Sequence, residues 1–279
     1  MDNADPVNGV EHYENFPVAS VLCPPALRPP IVAIYHFART ADDIADEGDA
    51  AADDRLLALS DYRSALQRLY DDDAVSARWP DVFGPLRHAV HRHALPQALL
   101  ADLLDAFAQD VRNPPYPDRD ALLDYCRRSA NPVGRLLLHL YGVQETAALR
   151  QSDAICSALQ LINFWQDLSV DLPRGRCYVP ESDRVAHGIA RLEPGRDTAQ
   201  TRALVRDLCS WAEGLMREGA PLVHRLPGRA GWELRLVVQG GLRILETIAA
   251  MDHATLSRRP ALGKRDVPRL LWRALWMRA

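Results

Sequence analysis

Residues 155–171 of the chain read ICSALQLINFWQDLSVD, an apolar segment that carries a single polar stripe. At about 100° per residue, the apolar side chains cover most of a helix circumference, which is typical of a buried helix. The polar stripe consists of Asn163, Asp167 and Asp171, which follow one another at four-residue intervals. Buried carboxylates and amides need partners, and oxygen ligands of this kind suit a hard divalent cation.

A second acidic ladder lies in residues 29–47, PPIVAIYHFARTADDIADE. One apolar stripe of the predicted helix contains Ile31, Ile34, Tyr35 and Ala38. Asp42 lies roughly 20° and Asp46 roughly 60° from Ile31 on the helical wheel, so both are predicted on the stripe that faces the core, with Arg39 beside them. Burying two like charges one turn apart is costly unless a cation compensates.

Together the two ladders predict a magnesium–diphosphate site, because Mg²⁺ is usually held by one or two carboxylates plus substrate phosphates. Ion pairs or helix caps could explain either ladder alone but explain the pair of ladders less well. Arg174, Arg176 and Tyr178 directly follow the second ladder and could fold back over a phosphate. For Arg174 the alternative is a cation that complements a helix C-terminus.

The rest of the chain also has the periodicity of helices, which predicts an all-α fold in one domain spanning residues 1–279. Besides the helix in residues 29–47, the predicted helices cover residues 54–70, 85–111, 119–141, 145–171, 198–223, 232–256 and 267–277; the polar stripe lies in the fourth of these. Residues 173–198 form the longest predicted non-helical segment, and loops of that length are usually functional.

Composition narrows the range of functions. The net charge of −4 and the pI near 6.1 argue against a nucleic-acid-binding protein. Five widely spaced cysteines predict a reducing, cytoplasmic location without disulfides. No apolar run reaches the length of about 20 residues that spans a bilayer. The basic, aromatic residues 268–279 could lie on a membrane surface, peripheral to its inner face, or dock on the helical bundle.

Four motifs resemble landmarks of the squalene and phytoene synthases: DDIAD (42–46), YCRRSANPVG (125–134), NFWQDLSVD (163–171) and GRCYVP (175–180). The resemblance covers about residues 10–260. It implies an all-α isoprenoid synthase bundle with both acidic ladders at the mouth of a central apolar pocket, and Tyr125 in that pocket. It also implies Mg²⁺ as cofactor, with Arg39, Arg176 and Tyr178 around the diphosphate. The implied metal ligands are Asp42, Asp46, Asn163, Asp167 and Asp171.

Residues 12–25, HYENFPVASVLCPP, followed by RTADDIADEGD (39–49), are similar to the hydroxysqualene synthases of the hopanoid pathway within this family. Many condensing members carry Ser-Lys-Ser-Phe where this chain has residues 13–16, and an arginine where it has Gln166. Our hypothesis is that Glu14 and Gln166 mark an enzyme that ionises one diphosphate. Phe16 and Gln166 are then expected at the substrate.

The hypothesis predicts that presqualene diphosphate loses diphosphate and that water captures the allylic cation, giving hydroxysqualene. The resemblance also implies a sister synthase that supplies the substrate and an oxidoreductase downstream. Aromatic faces attract such a cation. The candidate wall residues are Phe16, Tyr35, Phe37, Tyr125, Phe164 and Trp165.

Other functions remain as alternatives. A squalene synthase that joins two farnesyl diphosphates is the second interpretation, and a phytoene synthase is the third. A helical scaffold would explain the helices but not the acidic ladders. A ferritin-like di-iron protein is excluded, because no glutamate is followed three residues later by histidine.

Overall fold

The computed structural model describes residues 23–73, 75–226 and 228–277, and within those ranges it contains helices and no strands. The helices, in chain order, are α1 (Arg28–Asp46), α2 (Ala52–Tyr70), α3 (Pro80–His93), α4 (Gln97–Arg112), α5 (Arg119–Ser129), α6 (Asn131–Leu140), α7 (Thr146–Gln166), α8 (Leu168–Asp171), α9 (Glu181–Ala186), α10 (Ala199–Gly219), α11 (Gly228–Ala250) and α12 (Val267–Leu275).

Several helix starts follow from local chemistry. Proline lies in the first turn of α1 and of α6, where a missing N–H leaves no hydrogen bond unmade. The carboxylate of Asp118 accepts a hydrogen bond from the Ala121 amide at 2.8 Å and caps α5. Thr198 and Thr201 form a capping box at the start of α10.

Three of the predicted helices are each divided in two, and one of them, the 145–171 helix, is divided at Asp167. The predicted 85–111 helix begins earlier, at Pro80, and breaks at Ala94, which adopts a left-handed conformation just before Pro96. The predicted 119–141 helix breaks at Ala130, and Pro132 is the second residue of α6. The breaks at Ala94 and Ala130 each lie two residues before a proline, which removes a backbone donor and disfavours continuation of the helix that precedes it.

The predicted 173–198 loop contains the short helix α9. Asp183 of α9 is buried and pairs with Arg119 at the start of α5, with a shortest distance of 2.6 Å. This pair, together with the hydrogen bond from the Glu181 amide to the Tyr116 carbonyl, ties the segment to the bundle. The sequence preceding α9 is thereby held beside α4 and α5.

The core consists of two hydrophobic clusters that meet at α4. One packs α1, α2 and α3 around Phe37, Tyr62 and Phe83. The other packs α5, α7, α10 and α11 around Trp165. Helix α4 contributes Leu104 to the first cluster and Ala106 to the second. That the chain folds as one domain remains a prediction.

Candidate active site

The first acidic ladder borders the buried face of α1. The residues of α1 that are fully buried include Ala33, Phe37, Ala41 and Ala45, so the core-facing stripe is rotated from the predicted one. The Asp42 and Asp46 side chains are 45% and 39% exposed, beside this stripe rather than on it. The prediction of a core-facing position was therefore wrong in this respect. The buried face of α1 is centred on its alanines and Phe37, and of the predicted stripe Ile34 alone is buried with them.

The second ladder spans the junction of α7 and α8. The helix is interrupted at Asp167, whose backbone conformation is not helical. The four-residue steps nevertheless persist, because the Asp167 amide donates to the Asn163 carbonyl and the Asp171 amide to the Asp167 carbonyl, each at 2.9 Å. The Asn163 side-chain amide also donates to Asp167 Oδ2 at 2.9 Å. Asn163, Asp167 and Asp171 therefore share one side of the junction.

Arg176 joins the two ladders. Its guanidinium forms an ion pair with Asp46 at the end of α1, and its charge also acts on Asp171 and on Asp42. Burial, reinforced by the neighbouring charge of Asp167, raises the pKa of the Asp171 carboxyl to about 6. Burial likewise raises the pKa of Asp42, against the opposing charge of Arg39. The carboxylates thus occupy one electrostatic environment.

The other predicted cations lie at the rim of this environment. Arg39 contacts Asp42 at 3.2 Å and Asp43 at 2.8 Å on its own helix. Arg174 is exposed in the short 3₁₀ turn after α8, and its charge acts on Asp171. Both arginines are exposed to solvent.

Arg259 is a site residue that the sequence analysis missed. Its guanidinium reaches Asp167 from the segment after α11, with Nε donating to Oδ1 at 2.5 Å. The two residues are 92 positions apart, so no local spacing could have revealed the pair. Arg259 brings to Asp167 a positive charge from outside the predicted motifs.

Gln166 does not lie with the acidic groups. Its side chain is 1% exposed, and its amide donates to the Pro260 carbonyl at 2.7 Å. A helical side chain next to Asp167 in sequence is turned by about 100°, which directs Gln166 toward the segment after α11. The expectation that Gln166 contacts the substrate diphosphate is therefore wrong in this geometry. Phe16, the other residue expected there, lies outside the described residues.

An aromatic cluster lies next to the ladders. It consists of the side chains of Tyr116, Tyr125, Phe164 and Tyr178. Phe164 and Tyr178 stack at 3.8 Å between ring centroids with their planes nearly parallel. The Tyr125 ring lies 6.0 Å from Tyr178 and 6.1 Å from Phe164. These residues include the predicted wall residues Tyr125 and Phe164.

Other predicted wall residues have different surroundings. Phe37 and Trp165 are completely buried: Phe37 packs on Tyr62, and Trp165 packs against Trp211. Phe37 and Trp165 have no exposed surface, which corrects the prediction for them. Tyr125 and Phe164 are also core residues, but they contact Tyr178 beside the ladders. Tyr35 is partly exposed and packs edge-on against His36.

Asp110, in the last turn of α4, is the second residue that the sequence analysis missed. Its carboxylate accepts hydrogen bonds from the Tyr125 hydroxyl at 2.9 Å and from the Tyr178 hydroxyl at 3.4 Å. Burial raises the pKa of Asp110 to about 7, although the Tyr125 hydrogen bond acts in the opposite direction. Asp110 therefore links the aromatic cluster to the acidic ladders, since Arg176 and Asp42 both act on it electrostatically.

The donor set of the ladders fits Mg²⁺ bound together with a diphosphate. In the part of the chain that the structure describes, no three acidic, histidine or cysteine side chains are grouped closely enough to hold an ion by themselves. Mg²⁺ keeps several waters and substrate oxygens and takes one or two carboxylates, so separated carboxylates satisfy its needs when phosphate oxygens complete the shell. Arginines pair with Asp46 and Asp167 and compensate part of the negative charge of the ladders.

A family profile described as squalene/phytoene synthase matches residues 10–266. The chain belongs to the squalene/phytoene synthase family. Within the family, it is 34% identical over 249 residues to a hydroxysqualene synthase of Sinorhizobium fredii, covering 88% of this chain and 82% of that protein. It is 43% identical over 195 residues to a hydroxysqualene synthase of Zymomonas mobilis, covering 68% of this chain and 63% of that protein.

The fold of this squalene/phytoene synthase family member is similar to solved structures. The crystal structure of squalene synthase HpnC from Alicyclobacillus acidocaldarius matches with a TM-score of 0.78 at 35% identity, over 87% of this chain and 90% of that one. The predicted all-α, isoprenoid synthase-type fold is confirmed, as is the prediction of an enzyme of this family. No helix in the described ranges is long and apolar enough to cross a membrane.

Proposed function

We propose that this chain is a hydroxysqualene synthase, which converts presqualene diphosphate and water into hydroxysqualene and diphosphate. The observation that carries the proposal is the meeting of both acidic ladders around Arg176, next to the stacked Phe164 and Tyr178. A charged rim beside an aromatic wall suits a substrate with a diphosphate head and a hydrocarbon body. The hydroxysqualene synthases to which the chain is similar support the same conclusion.

Position 166 supports the choice of a single diphosphate. Gln166 is neutral, and its amide is already engaged by the Pro260 carbonyl, so this position adds no positive charge to the rim. Holding two prenyl diphosphates together requires more positive charge than holding one. This argument favours presqualene diphosphate over a pair of farnesyl diphosphates as the substrate.

The residues of the two ladders would hold Mg²⁺ through their carboxylate and amide oxygens, namely Asp42, Asp46, Asn163, Asp167 and Asp171. Bound Mg²⁺ would supply the positive charge that stabilises diphosphate as a leaving group. Arg39, Arg174 and Arg176 would bind the diphosphate oxygens through charge-assisted hydrogen bonds, with Tyr178 beside them. The rings of Tyr125 and Phe164 would face the cation and limit the access of bulk water.

Two substrates given separately to the purified protein test the reaction. We expect presqualene diphosphate alone, with Mg²⁺, to give hydroxysqualene, and farnesyl diphosphate alone to give no C30 product. Products are identified by gas chromatography and mass spectrometry. Formation of squalene-type products from farnesyl diphosphate alone would overturn the proposal in favour of a condensing synthase.

The first prediction is that Mg²⁺ plus pyrophosphate stabilises the folded protein against thermal unfolding. A ligand present at about 100 times its Kd adds ~2.7 kcal/mol to the free energy of unfolding. For a chain of this size we expect a rise in Tm of roughly 5–10 °C. The Asp42→Asn/Asp167→Asn variant should lose most of the shift, and Asp61→Asn, an exposed carboxylate on α2, should keep it. Differential scanning fluorimetry measures this; an equal shift in all three proteins would contradict it.

We also propose a cytoplasmic location with peripheral contact to the membrane. All five cysteines are unpaired, which supports a reducing compartment. Helix α12 docks on α11 through the fully buried Ala274 and through ion pairs of Arg269 and Arg273 with Glu246. Its other face carries large apolar side chains that are at least half exposed: Val267, Leu271, Trp272, Leu275 and Trp276. A supplying synthase and a downstream oxidoreductase are part of the same proposal.

Binding to anionic vesicles is a second prediction. The exposed Lys264 and Arg265 precede this apolar face, and a basic, tryptophan-rich helix is typical of a membrane-surface segment. We expect Trp272→Ser/Trp276→Ser to weaken cosedimentation with phosphatidylglycerol-containing vesicles by about tenfold or more, since two indole rings lose their apolar contact. Leu57→Ser is the control, because Leu57 is as exposed as Trp272, at 63%, but lies on α2. Equal binding by both variants would refute membrane contact through α12.

A further inference from the structure

Asp110 holds an unusual position among the aromatic side chains of the site. Both of its carboxylate oxygens accept phenolic hydrogen bonds, Oδ2 from Tyr125 and Oδ1 from Tyr178. The three residues come from α4, from α5 and from the segment before α9, so the arrangement depends on the tertiary fold. None of the proposed metal-binding or diphosphate-binding roles requires Asp110.

The hydrogen-bond direction at Tyr125 has a chemical consequence. A phenol has one hydrogen and two acceptor lone pairs. Because the Tyr125 hydrogen is donated to Asp110, the lone pairs of the Tyr125 oxygen are the part of the hydroxyl left to interact with a third group. That group must be a donor, and water is the donor that the proposed reaction consumes.

The surroundings of Asp110 suit a group that exchanges a proton. The carboxyl is partly buried and lies between the hydroxyls of Tyr125 and Tyr178, within hydrogen-bond distance of both. The charge of Arg176 favours its ionised form, and the charge of Asp42 disfavours it. The two phenols are weak acids and act as donors, so the carboxylate is the basic partner in this group of three.

We propose that Tyr125 and Asp110 form the proton path for the water that captures the allylic cation, an inference that rests on the proposed function. The water oxygen forms a bond to the cationic carbon. As it does so, a water proton passes to the Tyr125 oxygen, and the Tyr125 proton passes to Asp110 Oδ2. A carbocation, water and a carboxylate thus become an alcohol and a carboxylic acid, with no oxidant or reductant. Tyr125 is the catalytic residue, and Asp110 is the positioning residue and final proton acceptor.

The path predicts a change in product rather than a simple loss of rate. A cation that is not captured by water loses a proton from carbon and becomes an alkene. Ionisation of the diphosphate occurs at the acidic ladders and does not need Asp110. Removing the proton acceptor should therefore shift the products from alcohol to alkene.

The test uses Asp110→Asn and Tyr125→Phe with presqualene diphosphate in H₂¹⁸O. Diphosphate release and the ratio of ¹⁸O-labelled alcohol to alkene are measured on the same samples. We expect an alcohol-to-alkene ratio lowered at least about tenfold in both variants, since positioned acid–base groups contribute two or more orders of magnitude. Because the ratio is taken per diphosphate released, a change in the rate of ionisation does not affect it. Asp105→Asn is the matched control, because Asp105 lies on the same helix, is exposed and pairs with Arg63 away from the site.

An unchanged alcohol-to-alkene ratio in Tyr125→Phe would overturn the proton path, whatever happens to the rate. Tyr125→Phe keeps the ring that packs near Phe164, so it decides the question even if Asp110→Asn does not fold. If wild type forms no labelled alcohol, the proposed function and the proton path both fail. If wild type forms it and the variants keep its ratio, only the proton path fails.

Discussion

Replacing Asp42 and Asp167 together by asparagine is expected to lower kcat/KM for presqualene diphosphate by at least about a thousandfold, equivalent to ~4 kcal/mol of transition-state stabilisation. The two carboxylates belong to different ladders, on α1 and at the α7–α8 junction. The double change therefore removes a negative ligand from each side of the proposed magnesium–diphosphate site. An amide oxygen is a weaker ligand than a carboxylate for a hard cation.

The same substitutions should cost the fold little. Asparagine has nearly the shape of aspartate, and Asp42 is already 45% exposed. The change at position 167 removes the ion pair with Arg259, which is partly exposed and contributes about 1 kcal/mol or less. Removing these charges also relieves repulsion: besides burial, the charge of Asp167 raises the pKa of Asp171, and the charge of Asp46 raises that of Asp42.

Steady-state kinetics over a range of Mg²⁺ concentrations, with circular dichroism of each protein, checks both expectations. Asp61→Asn on α2 is the control and should keep wild-type kinetics, because Asp61 is exposed and pairs with Arg78. Near-normal turnover by the double variant would show that these ladders do not carry the chemistry. Loss of the helical signal would show that they serve the fold instead.

The sequence predicted the helices better than their ends. Periodicity identified α1, α2, α7, α10, α11 and α12, because a helix that buries one face repeats its apolar residues every three or four positions. The break at Ala94 was not predicted, since alanine favours helices and rarely adopts the left-handed conformation that it has here, two residues before Pro96. The buried face of α1 was also predicted incorrectly, because the face that a helix buries depends on the helices that pack against it.

The candidate site was predicted where its residues are local. Asn163, Asp167 and Asp171 share a side because four-residue steps in one segment determine it. Arg259 and Asp110 were missed, because their partners are distant in sequence and only the packing of several helices brings them together. Gln166 was misplaced because a motif comparison says which residue stands at a position and not where its side chain points.

Gly219→Ala is expected to destabilise the protein by about 3 kcal/mol, as overpacking at a tight helix contact does. Gly219 ends α10 where that helix packs along α7. A Cβ there would lie 2.6 Å from the Gln151 carbonyl oxygen, 2.9 Å from the Ile155 amide nitrogen and 2.5 Å from Ile155 Cγ1. Two of these atoms belong to the α7 backbone and cannot turn aside, so the helices must move apart.

Thermal unfolding should therefore show a Tm lowered by roughly 6–12 °C for Gly219→Ala. Gly214→Ala is the matched control, because it makes the same change on the same helix at an exposed position with nothing within 4 Å of the added carbon. There the replacement should stabilise the helix by about 0.5–1 kcal/mol. Gly219 has a negative φ that alanine adopts freely, so backbone strain does not explain a loss of stability there. Destabilisation by Gly219→Ala together with stabilisation by Gly214→Ala would therefore identify the α7–α10 contact as the cause of the loss. If both variants unfolded at a higher temperature than wild type, the fold would not require the close approach of α10 to α7, the helix that carries Asn163.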